Sequence, residues 1–339
     1  MNDVAIQKKS FGCGFWLMLT IICVLVFGGT GLWYYSAGKL EAEALEVQQI
    51  LHANGQIIAC DNLQVRGYPF RIGIFCDAIG IENKNTQQKL TSGALRTAAQ
   101  IYDPGKFVVE FDGPAQFSDV MLGIFKINWQ FLRASMRTKL GGIEHTSVAG
   151  HALTIGHEKS TSPLLMAETL EFHVRKLGKN NLDVAIGSRN LSLTTNLIST
   201  DTLSKPFNLV VELTANDLFE EVHTNQIRTS YFQKNGGSGS LNAFKLKTIN
   251  GGILEIKGPL SVDTRGRLSG ILDISVTKLG QLFEFFRVFF PNSNADLEQI
   301  ELAVKLFSAG NATTKLQIQI EDGKVRVGLI SLGRIPPLF

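Results

Sequence analysis

Three histidines, His145, His151 and His157, recur at intervals of six. Imidazole is both the commonest metal ligand and the side chain that titrates near neutrality. On one extended strand successive rings at this spacing stand roughly 20 Å apart, too far to share an ion, so a metal site would need a turn at Ala149-Gly150 to fold two of them together. The short ligand spacings of metal sites are missing, and ordinary surface histidines are the expectation. Gly236-Gly237-Ser238-Gly239-Ser240 comes close to the nucleophile elbow of hydrolases, but Ser240 stands where a closing glycine is required. A flexible linker explains that run better, and it marks the best internal boundary. The chain holds no phosphate-binding G-x-x-x-x-G-K-[ST] loop and no complete dinucleotide loop. Carboxylates are plentiful, yet none forms a pair that spacing alone singles out. These readings predict a protein that is not an enzyme and uses no cofactor, no metal and no nucleotide.

The sharpest local pattern is CDNLQVRGYPFRIGIFC, from Cys60 to Cys76. Gly67, Tyr68 and Pro69 signal a turn, and the flanks alternate as strands do. A hairpin centred on Tyr68 sets its two cysteines, each eight residues away, directly opposite one another. Opposed residues lie roughly 4.5 to 5.5 Å apart at Cα, within disulfide reach. In an oxidising compartment the bridge adds about 3 kcal/mol through loop closure. No C-x-x-C motif, second cysteine pair or nearby histidine supports a redox or metal role. Arg66 and Arg71 flank the turn beside Tyr68 and Phe70, and these four are candidate contacts for an anionic headgroup or a partner carboxylate.

Something must hold this hairpin, and the sequence before it is a membrane anchor. Phe11 to Tyr35 runs 25 residues without a charge, longer than the ~20 needed to cross the hydrocarbon layer as a helix. Lys8 and Lys9 precede it and Glu41, Glu43 and Glu46 follow. That asymmetry predicts residues 1–10 in the cytoplasm and everything after the anchor exported. Trp33, Tyr34 and Tyr35 cluster where the helix would leave the bilayer. Ser36-Ala37-Gly38 is a faint cleavage signal, but the apolar run is too long for a typical signal peptide, and retention is expected. Leu40, Ala44, Val47 and Leu51 keep a helical spacing, predicting a stalk over residues 36–55.

Forty-four per cent apolar residues over 339 positions suffice for real cores, whereas a net charge of +3 without a dense basic run argues against a nucleic-acid partner. Short alternating runs such as Phe125, Ile127, Trp129 and Phe131 against Lys126, Asn128 and Gln130 predict half-buried strands. A second hairpin is expected about the turn Asp103-Pro104-Gly105-Lys106. The pattern yields a first β-rich region over 56–234 and a second over 240–339. Val276 to Phe290 reads as a helix stopped by Pro291, apolar nearly all round, which requires a buried cap or an apolar partner. Its Phe283, Phe286, Phe289 and Phe290 are therefore further candidate contacts. A second helix is predicted over Ala295 to Phe307. The fold class is mainly β (α+β): a transmembrane helix, then a large curved antiparallel sheet or open barrel-like domain with a few capping helices.

The anchor, the Arg66-Gly67-Tyr68-Pro69-Phe70-Arg71 core, SGALRTAAQIYDPG from Ser92 and the closing DGKVRVGLISLG resemble the bacterial domain of unknown function 2125. The resemblance implies an anchored or exported envelope protein of Gram-negative bacteria, placing the domain in the periplasm and the anchor in the inner membrane. Asp263 to Phe290, a D-x-x-G-R-L-x-G turn leading to a helix, is also similar to AsmA-like proteins. That likeness implies a curved sheet with an apolar groove that handles lipid. The expected function is binding of a lipid or other apolar ligand, or assistance in envelope assembly. The alternatives are a scaffold that contacts another envelope protein and an exported hydrolase.

Overall fold

The computed structural model describes residues 13–139, 142–178, 180–194, 204–223, 229–308 and 312–339. The expected cytoplasmic segment 1–10 and the first two residues of the expected anchor, Phe11 and Gly12, lie outside them. One helix, α1 (Cys13–Ala53), takes in the uncharged run from Cys13 onward and the stalk as far as Ala53. Residues 14–29 of it are exposed, Trp16, Leu25 and Phe27 among them. The remainder packs back against the first strands.

Five long strands follow, each interrupted once near its middle. β1 (Gln56–Asp61) continues as β2 (Gln64–Arg66), and β3 (Arg71–Cys76) as β4 (Ala78–Asn83). β5 (Gln88–Ser92) leads to β6 (Leu95–Gln100), and β7 (Asp103–Phe111) to β8 (Ala115–Asp119). β9 (Gly123–Asn128) leads to β10 (Phe131–Lys139), and β11 (Gly142–His157) crosses the interruption whole, pairing with β10 and then with β9. The breaks lie side by side: the Asp77 and Gly93 amides bond the Asp61 and Asp112 carbonyls, and the Trp129 indole bonds the Phe111 carbonyl. They form a crease across the sheet.

β12 (Leu165–Leu177), β13 (Asn181–Leu193) and β14 (Phe207–Ala215) extend the meander. Two short helices, α2 (Phe219–His223) and α3 (Thr229–Asn235), precede β15 (Gly237–Thr248), β16 (Ile253–Val262) and β17 (Leu268–Thr277). α4 (Leu279–Phe289) and α5 (Asn294–Ser308) then cap the sheet before β18 (Thr313–Glu321), β19 (Lys324–Val327) and β20 (Ile330–Arg334). Every pairing is antiparallel, and the described strands form one open sheet. Register separates its two faces. Val148, Phe172, Ile186, Val211, Phe244 and Ile256 form an apolar row on one side. One position along, on the other side, Arg96, Glu110 and Arg133 make a row of alternating charge.

Several expectations need correction. The cysteine pair is bridged, with Cα atoms 5.2 Å apart, but not as direct partners. The register opposes Cys60 to Ile79 and Gln64 to Phe75, so the hairpin is centred between Pro69 and Phe70. The bridge is diagonal, where Asn62 in the left-handed region and Asp77 part the strands at the crease. Asp103 to Lys106 is strand and the turn sits at Ile101–Tyr102, because Gly105 lets the Thr138 carbonyl come within 2.6 Å of where a Cβ would stand. Gly237 to Ser240 is likewise strand rather than linker: a Cβ on Gly239 would meet the Thr214 carbonyl at 2.3 Å. No turn forms at Ala149-Gly150. Val276 belongs to β17, and α4 starts only after Lys278 turns the chain at φ 51°.

The main core lies under α4. Leu282 is 1% exposed, and Phe285 and Phe289 stand 4.9 and 6.0 Å from the Phe207 ring, above Leu246 and Val276. α5 is tied to α4 by Glu301, which takes Arg287 at 2.6 Å and Lys305 at 2.8 Å. Those two cations hold its carboxyl below the ordinary range despite burial.

Candidate functional site

The hairpin tip and α1 clasp each other. The tip is tight: Arg71 N–H donates to the Gly67 carbonyl at 2.9 Å, and a Cβ on Gly67, at φ 119°, would strike the Arg71 carbonyl at 2.7 Å. Tyr68 shares a 2.8 Å hydrogen bond with the Thr30 hydroxyl and meets the Trp33 ring edge-on at 5.6 Å. Trp33 is buried, and its indole N–H donates to the Arg71 carbonyl at 2.7 Å. Phe70 is 71% exposed, and its carbonyl accepts from Ile101 N–H, which sets the equally exposed Tyr102 beside it. Arg66 is turned away, over the Phe75 ring at 5.5 Å with its Nε on the Gln64 amide. Of the four tip candidates, Tyr68 therefore holds α1, Phe70 is free, Arg66 is occupied by its own strand and Arg71 points elsewhere.

Arg71 opens onto a trough on the charged face. A depression of about 410 Å³ is lined by Arg71, Lys106, Arg137 and His145 with Ala98 and Val108. His145 also borders a second, of about 370 Å³, with His173, Arg175 and Asn242. Asn242 borders a third, of about 750 Å³, which reaches Lys315 and Gln317 on β18. Shared walls make these one trough running across the strands from the hairpin. Lys106 is paired with Asp103 at 2.6 Å and Arg175 with Asp183 at 2.9 Å.

Midway, Ser147 Oγ lies 2.7 Å from His173 Nδ1 and 3.1 Å from His145 Nε2, and His173 Nε2 is 3.5 Å from Glu171. A hydroxyl between imidazoles can pass a proton. β11 is bonded into the sheet on both sides, so the main chain around Ser147 has no spare N–H pair to stabilise an oxyanion. His151 and His157 are elsewhere, stacked on Phe131 at 5.4 Å and against Phe125 at 4.9 Å.

The phenylalanine candidates form no common site with the tip. Phe283 is buried and Phe286 and Phe289 pack into the core, leaving Phe290 exposed. Phe207 beneath α4 lies five residues along β14 from Glu212 on the trough wall, ~17 Å at strand rise. In the β16–β17 turn, the Arg267 amide and guanidinium and the Arg265 amide hold the Asp263 carboxyl at about 2. This clamp fastens the turn against which Leu338 N–H bonds Gly266.

Sequence reasoning missed Lys106, Arg137 and Arg175. Their only signal is cross-strand register, which spacing along the chain does not carry.

Fold and site together define an open single-sheet β-protein joined to a long apolar helix of the kind found in membrane anchors and signal sequences, with a disulfide suited to an oxidising compartment. The protein belongs to the family DUF2125, described as an uncharacterized protein conserved in bacteria, whose pattern matches residues 33–336. No curated protein and no solved structure matches the chain.

Proposed function

We propose that α1 stays in the inner membrane with its N-terminus in the cytoplasm, and that the sheet stands in the periplasm and takes a lipid or other apolar ligand into its trough. The carrying observation is the clasp of Tyr68 on Thr30 and Trp33. Thr30 lies five residues before Tyr35, about 7.5 Å at helical rise, so the clasp draws the hairpin tip and the trough mouth down to headgroup level. Trp33, Tyr34, Tyr35, Tyr68, Phe70 and Tyr102 then form an aromatic belt there. The trough mixes cations with Ala98 and Val108, a lining suited to an amphipathic guest, in line with the use the resemblance to AsmA-like proteins implies. Lipid mass spectrometry of the full chain, purified in mild detergent, tests the reading. A lipid should copurify in near-stoichiometric amount and be displaced by Ala98→Trp; no lipid above that carried by an unrelated single-span protein would overturn it.

A second reading, a scaffold for another envelope protein, is favoured by β20. Among the described residues it pairs only with β19, and it exposes Ile330 and Leu332, with Leu329 exposed in the turn before it. An unpaired edge can add a partner strand. Crosslinking from Leu332 in membranes should then yield one defined adduct; a diffuse ladder of products would count against it.

A further inference from the structure

We propose that the mouth of the trough is a site for the phosphate of an anionic glycerophospholipid, held by Arg71 and Arg137 with Lys106 beside them. The proposal rests on the lipid-binding reading above and names the headgroup class. Register places Lys106 opposite Arg137, Arg137 opposite His145, and His145 opposite Arg175, so four basic side chains stand in one row across adjacent strands. Lys106 and Arg137 are like charges directly opposed, an arrangement that destabilises a sheet. The same face avoids this elsewhere: Glu110 separates Arg96 from Arg133 and bonds Arg133 at 2.8 Å, and Lys245 faces Glu255 at 2.5 Å. At the mouth Lys106 and Arg175 have carboxylate partners. Arg71 and Arg137 have no ion pair among the described residues, and both line the 410 Å³ depression. An anion between them would relieve the repulsion, and guanidinium pairs bind phosphate oxygens in a fork.

The position selects a lipid over a free ion. The Arg71 carbonyl is bonded to the Trp33 indole, which fixes the main chain of this residue beside α1, at the proposed membrane exit. Ala98 and Val108 on the same face offer the depression an apolar wall for the glycerol and the first acyl carbons. A zwitterionic headgroup brings its own cation into the row and meets the repulsion the site already has.

Full-length protein in nanodiscs of mixed phosphatidylglycerol and phosphatidylcholine, released and weighed by native mass spectrometry, tests the site. Phosphatidylglycerol should be retained roughly tenfold over phosphatidylcholine, the preference falling with salt. Arg71→Gln with Arg137→Gln should erase it, Arg137→Lys should keep part of it, and Lys89→Gln, on an exposed strand position outside the trough, should leave it intact. An unchanged thermal midpoint in the double variant would show that the fold is kept. Lipid retained without headgroup preference, or with a preference that survives the double substitution, overturns this inference and leaves the lipid-binding reading standing. Absence of retained lipid overturns both. Displacement of bound phosphatidylglycerol by millimolar inorganic phosphate would make the site one for the free anion and overturn the lipid assignment.

Discussion

Removing Tyr68 should release the hairpin from α1 without unfolding the sheet. Tyr68→Ala deletes the hydrogen bond to Thr30 and the edge-on contact with Trp33. A net hydrogen bond contributes about 0.5–1.5 kcal/mol and an aromatic pair about the same, so the clasp loses about 1–3 kcal/mol. The detached population then rises roughly 5- to 150-fold. Tyr68→Phe keeps the ring contact and should lose only the hydroxyl's share, about 1 kcal/mol. Hydrogen exchange of the full chain in nanodiscs reads this locally, because the Arg71 and Ile101 amides bond to Gly67 and Phe70 at the tip. Both should lose protection by the stated factor in Tyr68→Ala and by less in Tyr68→Phe. The Asp273 amide, in β17 far from the tip, should keep its protection. Equal loss at Asp273, or a change under twofold at Arg71 and Ile101, would refute the clasp.

Leu282→Ala, at the best-buried side chain of α4, should cost about 3–5 kcal/mol and lower the thermal midpoint more than Val288→Ala on its exposed side. Reducing the Cys60–Cys76 bridge, which spans 16 residues, should remove about 3 kcal/mol, measured by denaturant titration with and without reductant; a Cys60→Ala variant should not respond to reductant. Arg287 and Lys305 depress Glu301 below its unfolded value, so the stability they lend is present above the ordinary carboxylate range and is lost as pH falls through the folded value. The midpoint difference between the protein and Glu301→Gln should therefore shrink on acidification, and a gap that widens in acid would contradict the pairing.

Features set by local chemistry were legible before the structure. The uncharged run of α1, the alternation of Phe125 and Ile127, the stop at Pro291 and the reach between Cys60 and Cys76 all follow from neighbours in the chain. What escaped depends on strands meeting. The hairpin axis lies past Tyr68 because the Gly67–Arg71 closure shifts it, and composition does not report a shift of that size. Gly237 and Gly239 read as freedom when they serve close approach of a neighbouring carbonyl. Spacing groups His145 with His151 and His157, whereas its partners in space are Ser147, His173 and Arg137 from three strands. The row at the trough mouth gathers residues from 106 to 175, and only register assembles it.

The meander has a consequence for how the chain matures. Among the described residues each long strand bonds only the strands before and after it, from β1 to β20. As synthesis proceeds from the N-terminus, every completed strand finds its partner already made and waiting. No segment must idle for a distant one, and loop closure stays cheap despite the size of the sheet. A chain folding in this order would grow as a zipper from the α1 clasp, with one exposed edge travelling along the sheet until it comes to rest at β20.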